Sequence, residues 1–478
     1  MAVSTFKRGL RFPSTRKEAT EGKPVEWTPL LKQVVIPINQ HLGAPNKCLV
    51  NVGDKVKRGQ KIADAAAPGP MTVPVHASIT GVVKKIEPRT QQNNGEGICV
   101  IIEAIGEGEG PGKDVFQALP ILDPFTCTKE EALARIREAG IMGMGGAGFP
   151  THIKLNPPPN KTIDTIIVDG AECEPYLTTD EAVIEEKPYM LILGMTIIMH
   201  ITGVKKAIIG MEDNKAQLIP MLEAAIQKND KAASAGEITV GLCKTRYPQG
   251  GEKLLITALT GREVPTGGMP MDVGCIVQNV GTVVAIAEAF KIGKPLIDRD
   301  LTVTGGACKT PKNIRAPIGT LLGELPTAYM DVEYDKVQKI LFGGPMMGNA
   351  VPNLNIPIQK NTSGIVFMTG AETIAELEGP CIRCGRCVRN CPIRLSPVIT
   401  NNALEAGDLD EAVAVGLMDC IECGSCSYMC PARIKLVQRF RIGKGRLRIK
   451  QAAAQAAAKA LAAQQTPAEA AKQPAPAN

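Results

Sequence analysis

Two stretches of the chain read CIRCGRCVRNCP, from Cys381, and CIECGSCSYMCP, from Cys420. Each is a C-x2-C-x2-C-x3-C-P run, supplying Cys381, Cys384, Cys387 and Cys391, then Cys420, Cys423, Cys426 and Cys430. Thiolates at this spacing are [4Fe–4S] ligands. Three neighbours hold one cluster, and in two-cluster proteins the fourth serves the other cluster. Cys381, Cys384, Cys387 and Cys430 are therefore assigned to one centre, and Cys420, Cys423, Cys426 and Cys391 to the second. The competing chemistries are zinc and disulfides. Structural zinc usually takes paired CxxC units separated by a spacer. Disulfides need export, and the opening MAVSTFKRGLRFPSTRKEAT has no apolar signal core. Between the runs, NNALEAGDLDEAVAVGLMDC reads as helix, so the expected module is α-helical. The other seven cysteines (Cys48, Cys99, Cys127, Cys173, Cys243, Cys275 and Cys308) are scattered, as buried thiols are; Cys173 alone lies in a suggestive loop.

The second signal is GIMGMGGAGFPTHIKL, Gly140 to Leu155. Glycines let backbone approach a ligand closely, and successive free N–H groups make an anion-binding nest. The loop fits neither G-x-x-x-x-G-K-[ST] nor a Rossmann fingerprint following a clear strand. It reads as a phosphate or cofactor loop.

These residues need scaffolds. From Val34 to Glu103 the chain alternates short β-rich runs with turns. Two of them, VNVGDKVKRGQKIADA and VPVHASITGVVKKIE, resemble the barrel-sandwich of biotinyl and lipoyl carriers. No lysine stands between Val75 and Thr80 to carry a prosthetic group, so that module is expected to be structural. After the link GEGEGPGKD, KEEALARIREAG is an amphipathic helix ending at Gly140. Strands such as TIDTIIVDGAE and VKKAIIGME then alternate with helices such as DNKAQLIPMLEAAIQK and EKLLITALTG, which predicts α/β layering on a largely parallel sheet. Short strands return at 295–350.

Of 478 residues, 44% are hydrophobic and only 3% aromatic. The most apolar run, YMLILGMTIIMHI, is shorter than the ~20 residues a membrane span needs, so it reads as a buried core helix. The net charge of +6 comes from RFRIGKGRLRIK, Arg439 to Lys450, which holds six basic residues and no acid. Without it the chain balances, which excludes a general nucleic-acid surface and leaves one local basic feature, suited to anionic lipid or an acidic partner. The last 28 residues contain fourteen alanines and read as a fraying or flexible tail.

GMGGAGFPTHIK resembles the flavin loop GRGGAGFPTGLKW of the NADH-oxidising subunit family of respiratory complex I. VDGAECEP is similar to that family's NADEGEP, YPQGGEKLLITALTG to YICGEETALIESLEG, and VQNVGT to VNNVET, in the same order. The resemblance implies FMN held by Gly143, Gly145, Gly146, Gly148 and Lys154, with Asn279 and Thr282 near the flavin and its phosphate. It also implies Phe149, Glu172, Glu174, Tyr247 and Glu252 around the place where NADH stacks. Met144 stands for the family's arginine, Leu155 for its tryptophan, Gly251 for the first glutamate of GEE, and Gln278 for the first of two asparagines.

The combined order of parts resembles the RnfC family, the C subunits of the Rnf (Rsx) ion-translocating oxidoreductases, over residues ~30–440. The implied fold is multidomain α/β plus β. It comprises an irregular segment (1–30), a barrel-sandwich module (31–112), a complex-I-type FMN-binding α/β domain (125–290), a β-grasp insert (291–352), an α-helical two-cluster ferredoxin domain (365–437), and a basic segment with its Ala-rich tail (438–478). The implied role is a peripheral translocase subunit on the cytoplasmic side of the cell (inner) membrane. There, electron transport between NADH and, indirectly, ferredoxin drives Na⁺ or H⁺ transport. Its partners would be integral membrane and iron–sulfur subunits. The flavin's part is to take electrons as a hydride and release them singly; no catalytic acid–base residue is needed. Two readings share some of these parts: a microcompartment cobalamin reductase, and a non-catalytic iron–sulfur wiring protein.

Overall fold

The computed structural model describes residues 3–29, 31–65, 69, 71–105, 115–325, 327–373 and 377–469. The Gly-rich link from Gly106 and the last residues of the tail lie outside these. The chain divides into two compact units, residues 1–375 and 376–478.

The first unit contains four β-sheets, two of them in its N-terminal module. Gln33–Pro37, Glu96–Ala104, Gly81–Thr90 and Lys55–Val56 form an antiparallel sheet, and Asn46–Cys48, Lys61–Ala65 and Val75–His76 form a smaller one. Val34, Ile36, Ile62, Val83, Val100 and Ile102 are buried in this module, as the alternating pattern requires.

The α/β layer has a four-stranded sheet in the order Glu237–Cys243, Lys206–Glu212, Thr165–Gly170, Cys275–Asn279, parallel throughout. The strand order reverses between Thr165–Gly170 and Cys275–Asn279. In open parallel sheets the crevice outside the carboxyl ends at such a switch point is where ligands bind. Helix Lys129–Glu138 starts at a capping box of Thr128 and Glu131. The apolar run is the buried helix Pro188–Thr202, and among the described residues no helix is long and apolar enough to cross a membrane. It packs on helix Val280–Lys291, and the approach depends on Gly194, where a Cβ would lie 2.2 Å from the Val283 carbonyl oxygen.

The fourth sheet is mixed and six-stranded, ordered Val25–Trp27, Lys312–Pro317, Asp298–Thr304, Gly364–Thr369, Val337–Phe342, Asn349–Val351. Two expected boundaries move here. Gly364–Thr369 pairs with both Asp298–Thr304 and Val337–Phe342, so these residues belong to this sheet and not to a cluster domain beginning at 365. The opening segment is not irregular either. Val25–Trp27 is a parallel edge strand on Lys312–Pro317, and Ser4 and Leu10 bond the backbone at Leu242, Lys244 and Tyr247.

The second unit is helical, as its sequence predicts: Arg386–Asn390, Pro397–Glu405, Leu409–Ala414, Ser425–Tyr428 and the long Leu436–Glu469, which carries the start of the alanine-rich tail. Its core joins Ala403, Ala412, Leu417, Ile434, Leu436 and Phe440 to Cys426, with Cys387, Cys420 and Cys430 packed against it. The two cysteine runs repeat one backbone course. Arg383, Gly385 and Arg394 have φ of 54°, 69° and 63°, and Glu422, Gly424 and Arg433, position for position, have 57°, 76° and 58°.

Candidate flavin and iron–sulfur sites

At the switch point Asp169 and Asn279 face each other in register on adjacent parallel strands. Asn279 caps helix Val280–Lys291, its Oδ1 accepting from the Gly281 N–H at 3.0 Å while its Nδ2 donates to Asp180 at 2.9 Å. The glycine loop lies against this cap. A Cβ at Gly145 would sit 3.0 Å from that of Asn279, one at Gly146 would meet nothing, and Gly148 needs its positive φ of 70°. Gly143 closes the turn on Phe149 (N–H to O, 2.8 Å). Gly145, Gly146 and Ala147 are left exposed at a helix N-terminus, a place that favours anions.

Three groups brace the loop. The Thr282 hydroxyl accepts from the Met144 N–H at 3.0 Å, so Thr282 supports the loop backbone. Asn361 donates to the Gly146 carbonyl at 3.0 Å. Its neighbour Lys360 is wholly buried and donates to the carbonyls of Gly140 (2.7 Å) and Pro74 (2.8 Å); burial pushes its amine down to about 7. Where the complex I family has arginine, Met144 is buried beneath Arg299, a residue of another strand that donates to the Met144 carbonyl at 3.4 Å. A guanidinium thus returns to the loop from outside the motif.

Lys154 and Glu252, expected on the flavin and nicotinamide sides respectively, form an ion pair at 2.5 Å. Three of the other expected nicotinamide residues, Glu172, Glu174 and Tyr247, are held by protein groups. Glu172 accepts from Lys215 (2.8 Å) and from the Asp180 N–H (2.7 Å), with Lys17 at 3.9 Å. Burial opposes its charge, but the two ammonium groups hold it below the usual carboxylate range. Glu174 accepts from the N–H groups of Met346 (3.1 Å) and Met347 (2.9 Å), where Gly344 has no room for a Cβ. It ties the six-stranded sheet to the α/β layer. Tyr247 is 1% exposed, its ring 5.5 Å from that of Phe12, and is core.

Sequence reasoning missed Asp169, Asp180, Arg299, Lys17, Lys215, Asn361 and Gln249. Asp169 had one usable signal, an acid closing a buried strand before glycine; the rest are placed by tertiary contacts alone. Burial, then Asp180 and Glu252, push the Asp169 carboxyl up to about 8, and burial with Glu172 pushes Asp180 to about 6. Both amide atoms of the buried Gln249, and Nε2 of Gln278, have no protein partner. Orphaned donors, open glycine backbone and a cationic lysine around a switch-point crevice fit a phosphate-bearing, hydrogen-bonding ring system such as FMN.

In the second unit, Cys391 joins Cys420, Cys423 and Cys426 around one pocket floored by Pro392, Ile393, Ile421, Val437 and Phe440. The charges felt by Cys426 are those of Cys420, Cys423 and Cys391, and those felt by Cys387 are of Cys384 and Cys430. Cys391 thus lies with the cysteines of the second run, and Cys430 near those of the first. Burial and mutual repulsion raise the Cys426 thiol, a cost that a cationic cluster binding the thiolates would reverse. Four soft thiolates lining a mostly apolar pocket fit an iron–sulfur centre.

The basic run falls on the long helix, where Arg446, Arg448 and Lys450 are exposed and Lys444 is buried. Arg439 pairs with Glu378 and Glu405, Arg441 and Lys444 with Glu422, and Lys450 with Asp410.

Fold and sites together define a flavin and iron–sulfur electron-transfer protein. The Nuo51 FMN-binding domain family matches residues 136–288, the RnfC barrel sandwich hybrid domain residues 4–107, and the 4Fe-4S dicluster domain residues 374–431. The C subunit of the proton-translocating ferredoxin:NAD(+) oxidoreductase complex of Clostridium ljungdahlii is 43% identical over 396 residues, 83% of this chain and 83% of that one. The C subunit of the ion-translocating oxidoreductase complex of Rhodobacter capsulatus is 39% identical over 448 residues, covering 93% and 83%. The Na(+)-translocating counterpart of Acetobacterium woodii is 39% identical over 395 residues, covering 82% and 86%. This chain belongs to the RnfC family, the C subunits of the Rnf ion-translocating oxidoreductase complexes.

Proposed function

We propose that this chain is the subunit at which electrons pass between a nicotinamide and one-electron carriers in an ion-translocating ferredoxin:NAD⁺ oxidoreductase complex. The observation that carries the reading is the presence, in one chain, of a braced glycine loop at a parallel-sheet switch point and of a pocket lined by Cys391, Cys420, Cys423 and Cys426. When bound, FMN supplies the exchange between hydride and single electrons. The chain's own residues do the rest. Gly145, Gly146 and Gly148 offer backbone N–H groups to its phosphate, Gly143 closes the turn that presents them, and Lys154 offers charge. Asn279 and Asp169 face the crevice across the switch point, and Phe149 and Glu252 border the nicotinamide side. Cys381, Cys384, Cys387 and Cys430 hold one [4Fe–4S] cluster, and Cys420, Cys423, Cys426 and Cys391 the other.

The same reading places the chain peripherally on the cytoplasmic face of the cell membrane, against integral membrane and iron–sulfur subunits. Anaerobically reconstituted protein should bind one FMN and about eight irons, and NADH should bleach the flavin. Iron without flavin would leave the wiring-protein reading. Co-purification with detergent-solubilised membrane subunits separates the membrane role from a microcompartment role.

A further inference from the structure

The two cysteine runs share one backbone but differ in what they show to solvent. In the first run, Arg383, Arg386 and Arg389 occupy the positions that Glu422, Ser425 and Tyr428 hold in the second. All three arginines are exposed, and among the described residues none has a carboxylate partner. Arg389 folds back over the turn between Cys384 and Cys387, its Nη1 3.3 Å from where a Gly385 Cβ would lie. The nearby Glu378 is taken by Arg439. Cys381 is exposed, and beside it Ile382 is 65% exposed. In the second run, Cys423 and Cys426 are buried, and Glu422 is neutralised by Arg441 and Lys444. The second run folds with Glu, Ser and Tyr, so the fold does not require the arginines. They are an addition to the exposed run alone.

We infer that Arg383, Arg386 and Arg389, around the exposed Ile382, form the docking surface for a protein that presents carboxylates around its own one-electron iron–sulfur centre. The inference rests on the cluster assignment proposed above and adds which run faces the partner and by what chemistry. Each encounter moves one electron across the contact: the partner is oxidised by one as this chain is reduced by one, or the reverse. Two encounters balance one hydride exchanged with the nicotinamide. Complementary charge steers such encounters and makes their rate fall with salt.

The test uses the full reconstituted chain and, as probe, a small acidic [4Fe–4S] ferredoxin pre-reduced with dithionite and freed of excess reductant. Stopped-flow mixing gives the second-order rate constant across ionic strengths. The triple variant Arg383→Gln, Arg386→Gln, Arg389→Gln should react roughly tenfold more slowly at low salt and lose most of the salt dependence. Its iron content and cluster EPR should stay those of the unaltered chain, and its reaction with the small cationic methyl viologen radical should be no slower, since like-charge repulsion falls. The exchange R383E/R386S/R389Y, which installs the second run's residues, should do the same. An unchanged rate and salt slope in an iron-replete variant overturns the inference. So does loss of iron from the single glutamine variants, which would make the arginines structural. It also fails if the variants lose only binding to phosphatidylglycerol vesicles, since the surface would then serve lipid. An unaltered chain that holds no iron would instead sink the cluster assignment itself.

Discussion

Lys154, from the helix after the glycine loop, and Glu252, from the first turn of helix Glu252–Thr260, meet in an ion pair at 2.5 Å. A residue expected to hold FMN and one expected near the nicotinamide are thus neighbours. Both are partly solvent-exposed, so the pair itself is worth at most about 1 kcal/mol. Lys154→Met should therefore leave Tm within a few degrees. It should weaken FMN binding at least tenfold, through loss of a phosphate contact worth about 1.5–3 kcal/mol. Fluorescence titration of the flavin-free protein measures this; unchanged affinity would remove Lys154 from the site.

Stability should fall as pH rises. Burial and Asp180 push the Asp169 carboxyl up to about 8, and burial raises Glu174 and Glu212 to about 7. Such carboxyls stay protonated in the folded chain where the unfolded chain has already released the proton. The stabilisation is complete below the ordinary carboxylate pKa and is lost as pH climbs through 7 to 8. Flavin-free protein should melt lower at pH 8 than at pH 5.5. Asp169→Asn should shrink that difference, raising Tm at pH 8 by about 2–4 °C. Scanning calorimetry at the two pH values decides it.

Lys444 is 8% exposed and donates to the Cys420 carbonyl at 2.5 Å and to Glu422 at 2.9 Å. A fixed cation beside the second cluster's ligands favours its reduced, more negative form. Lys444→Gln should lower the midpoint potential of one cluster only. The shift should be some tens of millivolts, since a charge several ångströms away is worth on the order of 1 kcal/mol at an effective dielectric near 20. EPR-monitored redox titration should show the other cluster unmoved; equal shifts in both would contradict the assignment.

Crossing of the runs has a direct genetic test. Cys391 sits at the end of the first run but lines the pocket of Cys420, Cys423 and Cys426. Cys391→Ala should therefore disturb the centre that Lys444→Gln tunes, while Cys430→Ala should spare it. Iron counts should fall by about one to four per chain in each variant. The reverse pattern in EPR would mean that each run serves itself.

Much was legible in the sequence because some signals are local. Cysteine spacing, the glycine loop, the capping box at Thr128 and the apolar run from Tyr189 each state their role within a dozen residues. Residues whose role is set across the fold were not legible. Nothing near Lys17 announces that its ammonium reaches the carbonyls of Glu172 (2.6 Å) and Leu177 (2.5 Å). Arg299 compensates for Met144 from another sheet. Tyr247 and Glu174 match a family motif in identity, but the burial of the one and the bonds of the other to the Met346 and Met347 backbone are set across the fold.

The opening segment carries a consequence for how this polypeptide can be dissected. Its backbone is laced to residues 242–247 and 313–315, and Lys17 supplies charge that a buried glutamate needs. A fragment trimmed to residues 125–290 would keep every glycine of its loop, yet it would bare Tyr247 and strip Glu172 of a counter-ion. The parts of the first unit are separable on paper and fused in substance: Val25–Trp27 act as a seam that is sewn shut only after residues 313–315 have emerged from the ribosome.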